Sequence, residues 1–458
     1  MRNNILISGT IVGVALLMQS CHIYQKYQLP EDNIIIDDYK KSLSAPVDST
    51  EFGNLGWREV FTDKNLQNLI STALENNKDL DNARLNVEVA HAQLKGARLS
   101  YLPSLSFNPN GGSASYGGSH MNWSYTLPLA ASWEVDVFGK ILNRKRGAEM
   151  SYEQAKSYEQ AVRSQIISGV AHTYYSIVLL KSQLALTKST SEIWKEQVES
   201  MELMKEAGRV NEAAVAQSRA NYHSILSSIP DIENGIHQAQ NTLSLLLNTY
   251  PQEWTVSNDM NIDLPASFSN GVPLNYVANR PDVRASERAF AAAYYATNSA
   301  RANFYPSINI SAQGGFTNLL GSIITNPGKW FVQLAGQLTA PLFMRGQNIA
   351  TLEAAKASQQ IALNNFQYSV LNASAEVSDA LAELKTNSEK REFILKQVED
   401  LEKSVEASQE LLTFGQATYL EVLTARSGLL SAQLASLNAW YGKVNAVINL
   451  YQALGGGR

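Results

Sequence analysis

The chain has a single cysteine, Cys21, in 458 residues, so no disulfide can form within it. Charged residues are only 17% and the net charge is −5. Neither that balance nor any local Lys/Arg run supplies the basic patch a nucleic-acid binder needs. His91, His120, His172, His223 and His237 show no ligand spacing, and no cysteine follows residue 21, so neither a metal site nor a cofactor is expected. The glycine runs Gly314-Gly315 and Gly455-Gly456-Gly457 lack the Lys-Ser/Thr of a phosphate loop. No nucleophile stands with a base in a recognisable pattern, and the chain is not expected to be an enzyme. Long apolar runs are missing too. After Cys21 none reaches the roughly 20 residues of a spanning helix, so a passage through a membrane must be made by strands.

What is present begins with a leader. Met1-Arg2-Asn3-Asn4 is a short positive segment, followed by an apolar run from Ile5 to Met18. Such a segment is a targeting signal and stands outside fold reasoning. It ends at Leu17-Met18-Gln19-Ser20-Cys21, which resembles a bacterial lipoprotein cleavage site. The expectation is a signal peptide over 1–20 and lipidation at Cys21; the alternative is an ordinary signal peptide with an incidental cysteine.

The remainder repeats itself. Ala97-Arg98-Leu99-Ser100-Tyr101-Leu102-Pro103-Ser104 aligns with Ala300-Arg301-Ala302-Asn303-Phe304-Tyr305-Pro306-Ser307. Asp79-Leu80 aligns in the same way with Asp282-Val283, Val137-Phe138 with Leu342-Phe343, and Gly208 with Gly415. Ordered matches of this kind mark a duplication. The expected divisions are an N-terminal extended segment 21–63, a first repeat 64–250, a linker 251–272 and a second repeat 273–458.

Each repeat reads as helix, strand, loop, strand, long helices. Leu80 to Leu99 places Ala83, Val87, Ala90 and Leu94 on one helical face. From Trp123 to Val137 apolar and polar residues alternate. The same alternation runs from Ser307 to Gly314 and from Val332 to Leu342, with a weaker strand opening at Ser104. Four strands per chain are expected, within about 104–138 and 307–343. Two of them exceed the roughly 9 to 11 residues a tilted transmembrane strand needs. Four strands cannot close a barrel, so the open edges must pair with other copies of the chain. Glu134 and Asp136 are expected to share the face that lines the lumen. Beyond the strands, the stretch from Phe138 to Gly208 lacks proline. Apolar residues at three- and four-residue spacing mark it as helix packed lengthwise on helix. Gly208 and Gly415 are expected to turn the tips of two helical hairpins.

Several segments resemble a known family. They are Trp57-Arg58-Glu59-Val60-Phe61-Thr62-Asp63, Ser132-Trp133-Glu134-Val135-Asp136-Val137-Phe138-Gly139-Lys140, Arg280-Pro281-Asp282-Val283-Arg284 with Glu287, and Leu450-Tyr451-Gln452-Ala453-Leu454-Gly455-Gly456-Gly457. In this order, and over nearly the whole mature chain, they are similar to the TolC-like outer-membrane factors, closest to the lipoprotein branch. The resemblance implies a mostly α fold in which three copies share one 12-stranded transmembrane β-barrel, continuous with a periplasmic coiled-coil α-barrel. The implied function is outer-membrane channel of a tripartite efflux pump. The implied partners are a homotrimer, a periplasmic adaptor, an inner-membrane RND transporter and outer-membrane lipid. In the family the periplasmic end is closed by polar contacts just after the second tip, which correspond here to Ala417, Glu421 and Thr424. Gly208, Arg209, Asn211, Gly415 and Gln416 correspond to tips that dock on the adaptor. Two other readings stay open: a type I protein-secretion duct, and a lipid-anchored coiled-coil surface protein with no conduit.

Overall fold

A computed structural model of the chain describes residues 26–31, 33–44, 52, 55–115, 117–118, 122–257, 274–318 and 328–457. The leader, Cys21 and most of the linker expected at 251–272 lie outside the described residues. Among the described residues three helices, α1 (Ile34–Ser44), α2 (Trp57–Val60) and α3 (Lys64–Asn76), precede α4 (Lys78–Leu99). Strands β1 (Ser104–Phe107), β2 (Asn110–Ala114) and β3 (Asn122–Val135) then lead into α5 (Lys140–Glu206) and α6 (Glu212–Leu246). A 3₁₀ turn (Leu274–Asn279) opens the second series: α7 (Pro281–Ala302), β4 (Ser307–Thr317), β5 (Lys329–Thr339), α8 (Gln347–Thr413) and α9 (Tyr419–Ala453). The duplication is visible in the lengths. Helices of 22, 67 and 35 residues follow one another in the first half and again, residue for residue, in the second. Among the described residues no helix is long and apolar enough to cross a membrane.

Among the described residues two compact units form: 26–31, 85–156 and 284–368, and 33–84, 157–283 and 369–457. The first holds the sheet, which is antiparallel throughout with β3 and β4 in the middle and β5 at one edge. At the other edge β1 and β2 both pair with β3, Leu105 opposite Ala131 and Gly111 opposite Tyr125. They are one interrupted strand. The break falls at Asn108-Pro109, where proline has no N–H to give to a ladder. The four expected strands are therefore present as four ribbons. Two of them end earlier than alternation alone predicts. β3 stops at Val135 rather than Val137, because the Asp136 carboxylate accepts the amides of Ile141 (3.0 Å) and Leu142 (2.7 Å) and starts α5. β5 stops at Thr339 rather than Leu342, since Pro341 cannot donate.

The second unit is a core of α3, α5, α6, α8 and α9 residues. Leu66, Ile70, Tyr174, Ile177, Leu243, Leu450 and Tyr451 are each essentially inaccessible. Capping starts its helices: Asp63 accepts from Asn65 and Leu66, and Asn77 from Asp79 and Leu80. The conspicuous Arg280-Pro281-Asp282 is structural. The buried Arg280 guanidinium bonds Asp282 (2.6 Å), Glu376 on α8 (2.6 Å) and the Ala453 carbonyl at the end of α9 (3.1 Å). Beyond α9 the chain stays buried. Gly455 and Gly457 have φ of +78° and +85°, Ser164 donates to the Gly456 carbonyl, and the Gly457 amide donates to the Tyr451 hydroxyl.

Candidate functional site

The sheet has two unlike faces. Register puts Leu105, Phe107, Trp123, Leu127, Leu129, Trp133, Ile308, Ile310, Phe316, Trp330, Val332, Leu334 and Leu338 on one side. All of these but the half-buried Ile308 are exposed to a degree unusual for apolar residues; Leu334 is 76% accessible and Trp330 75%. A soluble sheet turns such a face toward a core, whereas here it points outward. The opposite face carries Ser104, Ser106, Ser124, Thr126, Ser132, Asn309, Ser311, Gln313, Gln333, Gln337 and Thr339. It is polar but almost uncharged, and Gln313 donates to Gln333 across it at 2.6 Å. Trp123 and Trp330 stand near the hairpin ends of the strands and Trp133 near the helical end. Ten residues separate Trp123 from Trp133, about 34 Å of strand. At the usual barrel tilt this is about 26 Å of height, matching the apolar band of an outer-membrane barrel. Among the described residues, β1–β2 and β5 each leave one edge without a strand partner.

Of the two carboxylates expected on the polar face, Glu134 is there, opposite Asn309 and 3.5 Å from Lys140. Asp136 lies past the strand, and its oxygens hold the first amides of α5.

The hairpin tips are built alike. At the end of α5 the Gly208 amide donates to Lys205 and the Arg209 amide to Met204; at the end of α8 Gly415 donates to Leu412 and Gln416 to Leu411. Both glycines are left-handed, with φ of +70° and +72°. This is the Schellman closure, which a β-carbon would strain. Asn211 then caps α6 through the Ala214 amide at 3.0 Å. At the matching place Thr418 precedes α9, and its amide donates to the Glu421 carboxylate at 2.8 Å. Arg209, Gln416, Glu421 and Thr424 are exposed and Ala417 half-buried. Thr424 donates its hydroxyl to the Leu420 carbonyl. Glu212 pairs with Lys205 and lies below its ordinary pKa for that reason. Between the tips Trp194, Met201, Val215, Tyr419 and Leu423 form a buried cluster. Alternation and glycine placement do not reveal that cluster in the sequence. Farther along, His172 is bonded to Asn445 at 2.8 Å and packs between helices.

A sheet with one lipid-like face, one watery face and open edges, together with paired long helical hairpins, defines a class of outer-membrane channel subunits. The family model described as outer membrane efflux protein matches residues 69–249 and 273–456, and the chain belongs to that family. It is 31% identical to the cation efflux system protein CusC of Escherichia coli O157:H7, over 97% of each chain. It is 30% identical to the probable outer membrane lipoprotein SilC of Salmonella typhimurium, over 91% of each. A crystal structure of CusC superposes with a TM-score of 0.83 at 28% identity, covering 95% of this chain and 100% of the other.

Proposed function

We propose that the chain is the outer-membrane channel of a tripartite efflux pump, conducting cargo passively from a periplasmic adaptor and an inner-membrane RND transporter to the exterior. The observation that carries this is the four-ribbon sheet with an exposed apolar face, a polar face and, among the described residues, two open edges. Three copies pairing edge to edge give 12 strands, wide enough for a water-filled lumen. Cys21 carries the lipid anchor, and the divisions 1–20, 21–63, 64–250, 251–272 and 273–458 are leader, N-terminal segment, first repeat, linker and second repeat. The matching lengths of the two helical series support that division. Gly208, Arg209, Asn211, Gly415 and Gln416 form the adaptor-docking tips. Glu421, with Thr424 and Ala417, lines the narrow periplasmic end, where three carboxylates form a ring that attracts cations. The name of CusC, a cation efflux system protein, supports testing cations first among the cargoes.

Single-channel conductance in planar bilayers tests the proposal. Wild type is expected to give small, cation-selective currents, and Glu421→Gln to reduce the selectivity. Folded protein that inserts no pore would remove the conduit, and an unchanged Glu421→Gln channel would remove the gate assignment alone.

A further inference from the structure

The apolar face of the sheet does not end with the strands. β5 closes at Thr339, and the connector to α8 then reads Ala340-Pro341-Leu342-Phe343-Met344-Arg345-Gly346. The connector follows directly on Leu334 and Leu338, which lie on the apolar side of the sheet. Leu342 is 95% accessible and Phe343 84%, with Met344 exposed beside them. Three adjoining large apolar side chains so fully presented mark a surface made to be covered. Directly after them Arg345 is exposed and held at φ +49°, followed by Gly346 at +77°. A non-glycine residue in that region is uncommon, which points to a turn fixed for a purpose.

The neighbourhood has the same character. Phe138 and Tyr305 stack at 5.0 Å and, with the apolar Leu342, Phe343 and Met344 and the charged Glu134, Asp136 and Lys140, line a cleft of about 470 Å³ at the helical end of the sheet. Arg98 with Tyr101 and Leu102, and Arg301 with Phe304 and Tyr305, occupy matching places in the two repeats, all exposed. Arg144 is exposed on the first turns of α5. Aromatic rings beside Arg and Lys heads are the composition of a membrane–water boundary, where the rings sit at headgroup level and the cations reach phosphate.

We propose that the connector at residues 341–346 seats the protein in the periplasmic leaflet of the outer membrane. Leu342, Phe343 and Met344 enter the acyl-chain region, and Arg345 takes a phospholipid phosphate. The inference rests on reading the apolar face of the sheet as lipid-facing, with which the connector is continuous.

Nitroxide labels test it in the full-length, acylated protein, reconstituted in vesicles of phosphatidylethanolamine and phosphatidylglycerol. Labels are placed at Phe343→Cys, at Leu342→Cys as a second site, at Leu334→Cys in the middle of the sheet, and at Lys385→Cys on the surface of α8, with unsubstituted protein as the labelling blank. Collision with oxygen, concentrated in the bilayer, is compared with collision with a water-soluble nickel chelate. The connector labels are expected to match Leu334→Cys, with an oxygen-to-nickel ratio several-fold above that of Lys385→Cys. Nickel access at the connector, with Leu334→Cys in lipid, overturns the seating and leaves the barrel standing. Protection from both reagents means that a second copy covers the connector, which also overturns it. Nickel access at Leu334→Cys removes the barrel reading itself. For the phosphate contact, Arg345→Gln is expected to retain several-fold less phosphatidylglycerol after purification, measured by native mass spectrometry; equal retention refutes that contact.

Discussion

Ser218 and Tyr419, 201 residues apart, share a buried hydrogen bond of 3.0 Å and so fasten the first hairpin to the second. Burial, ahead of the opposing bonds from Ser218 and Gln197, raises the phenol above its ordinary pKa. Tyr419→Phe keeps the ring and loses the bond, at an expected cost of about 1 kcal/mol. Tyr419→Ala also opens a cavity among Trp194, Met201 and Val215 and is expected to cost about 3 kcal/mol or more. Thermal denaturation of the two variants checks the order; equal losses would mean that the ring contributes nothing.

Glu421 has two duties that substitution can separate. Its carboxylate accepts the Thr418 amide and closes the first turn of α9, while its charge is the proposed gate feature. Glu421→Gln preserves an acceptor, so stability is expected to hold within about 0.5 kcal/mol while cation selectivity falls. Glu421→Ala is expected to lose both, with about 1 kcal/mol of stability. Selectivity that survives in the Gln variant would leave only the capping role.

Asp136→Ala strips two amides of α5 of their acceptor. The expected loss is about 1–2 kcal/mol in denaturant unfolding, with conductance unchanged. A changed ion selectivity at unchanged stability would place this carboxylate in the lumen after all.

Glu287 is buried on α7, and burial raises its pKa above the ordinary 4.5, opposed by Arg288 and the Tyr27 hydroxyl. The sign follows from linkage. Stability contributed by the protonated form is complete below the ordinary value and is lost as pH rises through the folded one. Glu287→Gln is therefore expected to melt higher than wild type at neutral pH, with the difference vanishing below about pH 4.5. A difference that does not vary with pH would assign the effect to packing.

Gly456 lies against Tyr451, where a β-carbon would stand 2.4 Å from the ring. Gly456→Ala is expected to destabilise by about 1–3 kcal/mol through forced displacement of that ring. Unchanged melting would show that the tail does not hold α9 in place.

Much of this molecule is written in patterns that one sequence exposes. Two-residue alternation located β3, β4 and β5, since each face meets a different medium, and the glycines at 208 and 415 located the reversals. Alternation says nothing of where a ladder stops, so β3 and β5 read too long by two or three residues. The capping bond of Asp136 and the missing amide of Pro341 decide those ends. The Thr418-x-x-Glu421 spacing is itself a readable capping signature, which a reading of Glu421 as gate material alone passes over. The cluster around Trp194 and Tyr419 depends on which helices lie side by side, and spacing within one helix carries no such information.

The equal helix lengths limit how this protein can change. Between Leu99/Ala302 and Lys140/Gln347 the offset between the halves grows from 203 to 207, and through α5, α6, α8 and α9 it never moves again. One residue inserted in a 67-residue helix would swing every later side chain about 100° around its axis, taking a packed stripe out of contact over tens of ångströms. Insertions and deletions survive only in the strand-and-turn stretches. An epitope tag or added loop belongs there, and a graft of either hairpin must preserve the residue count.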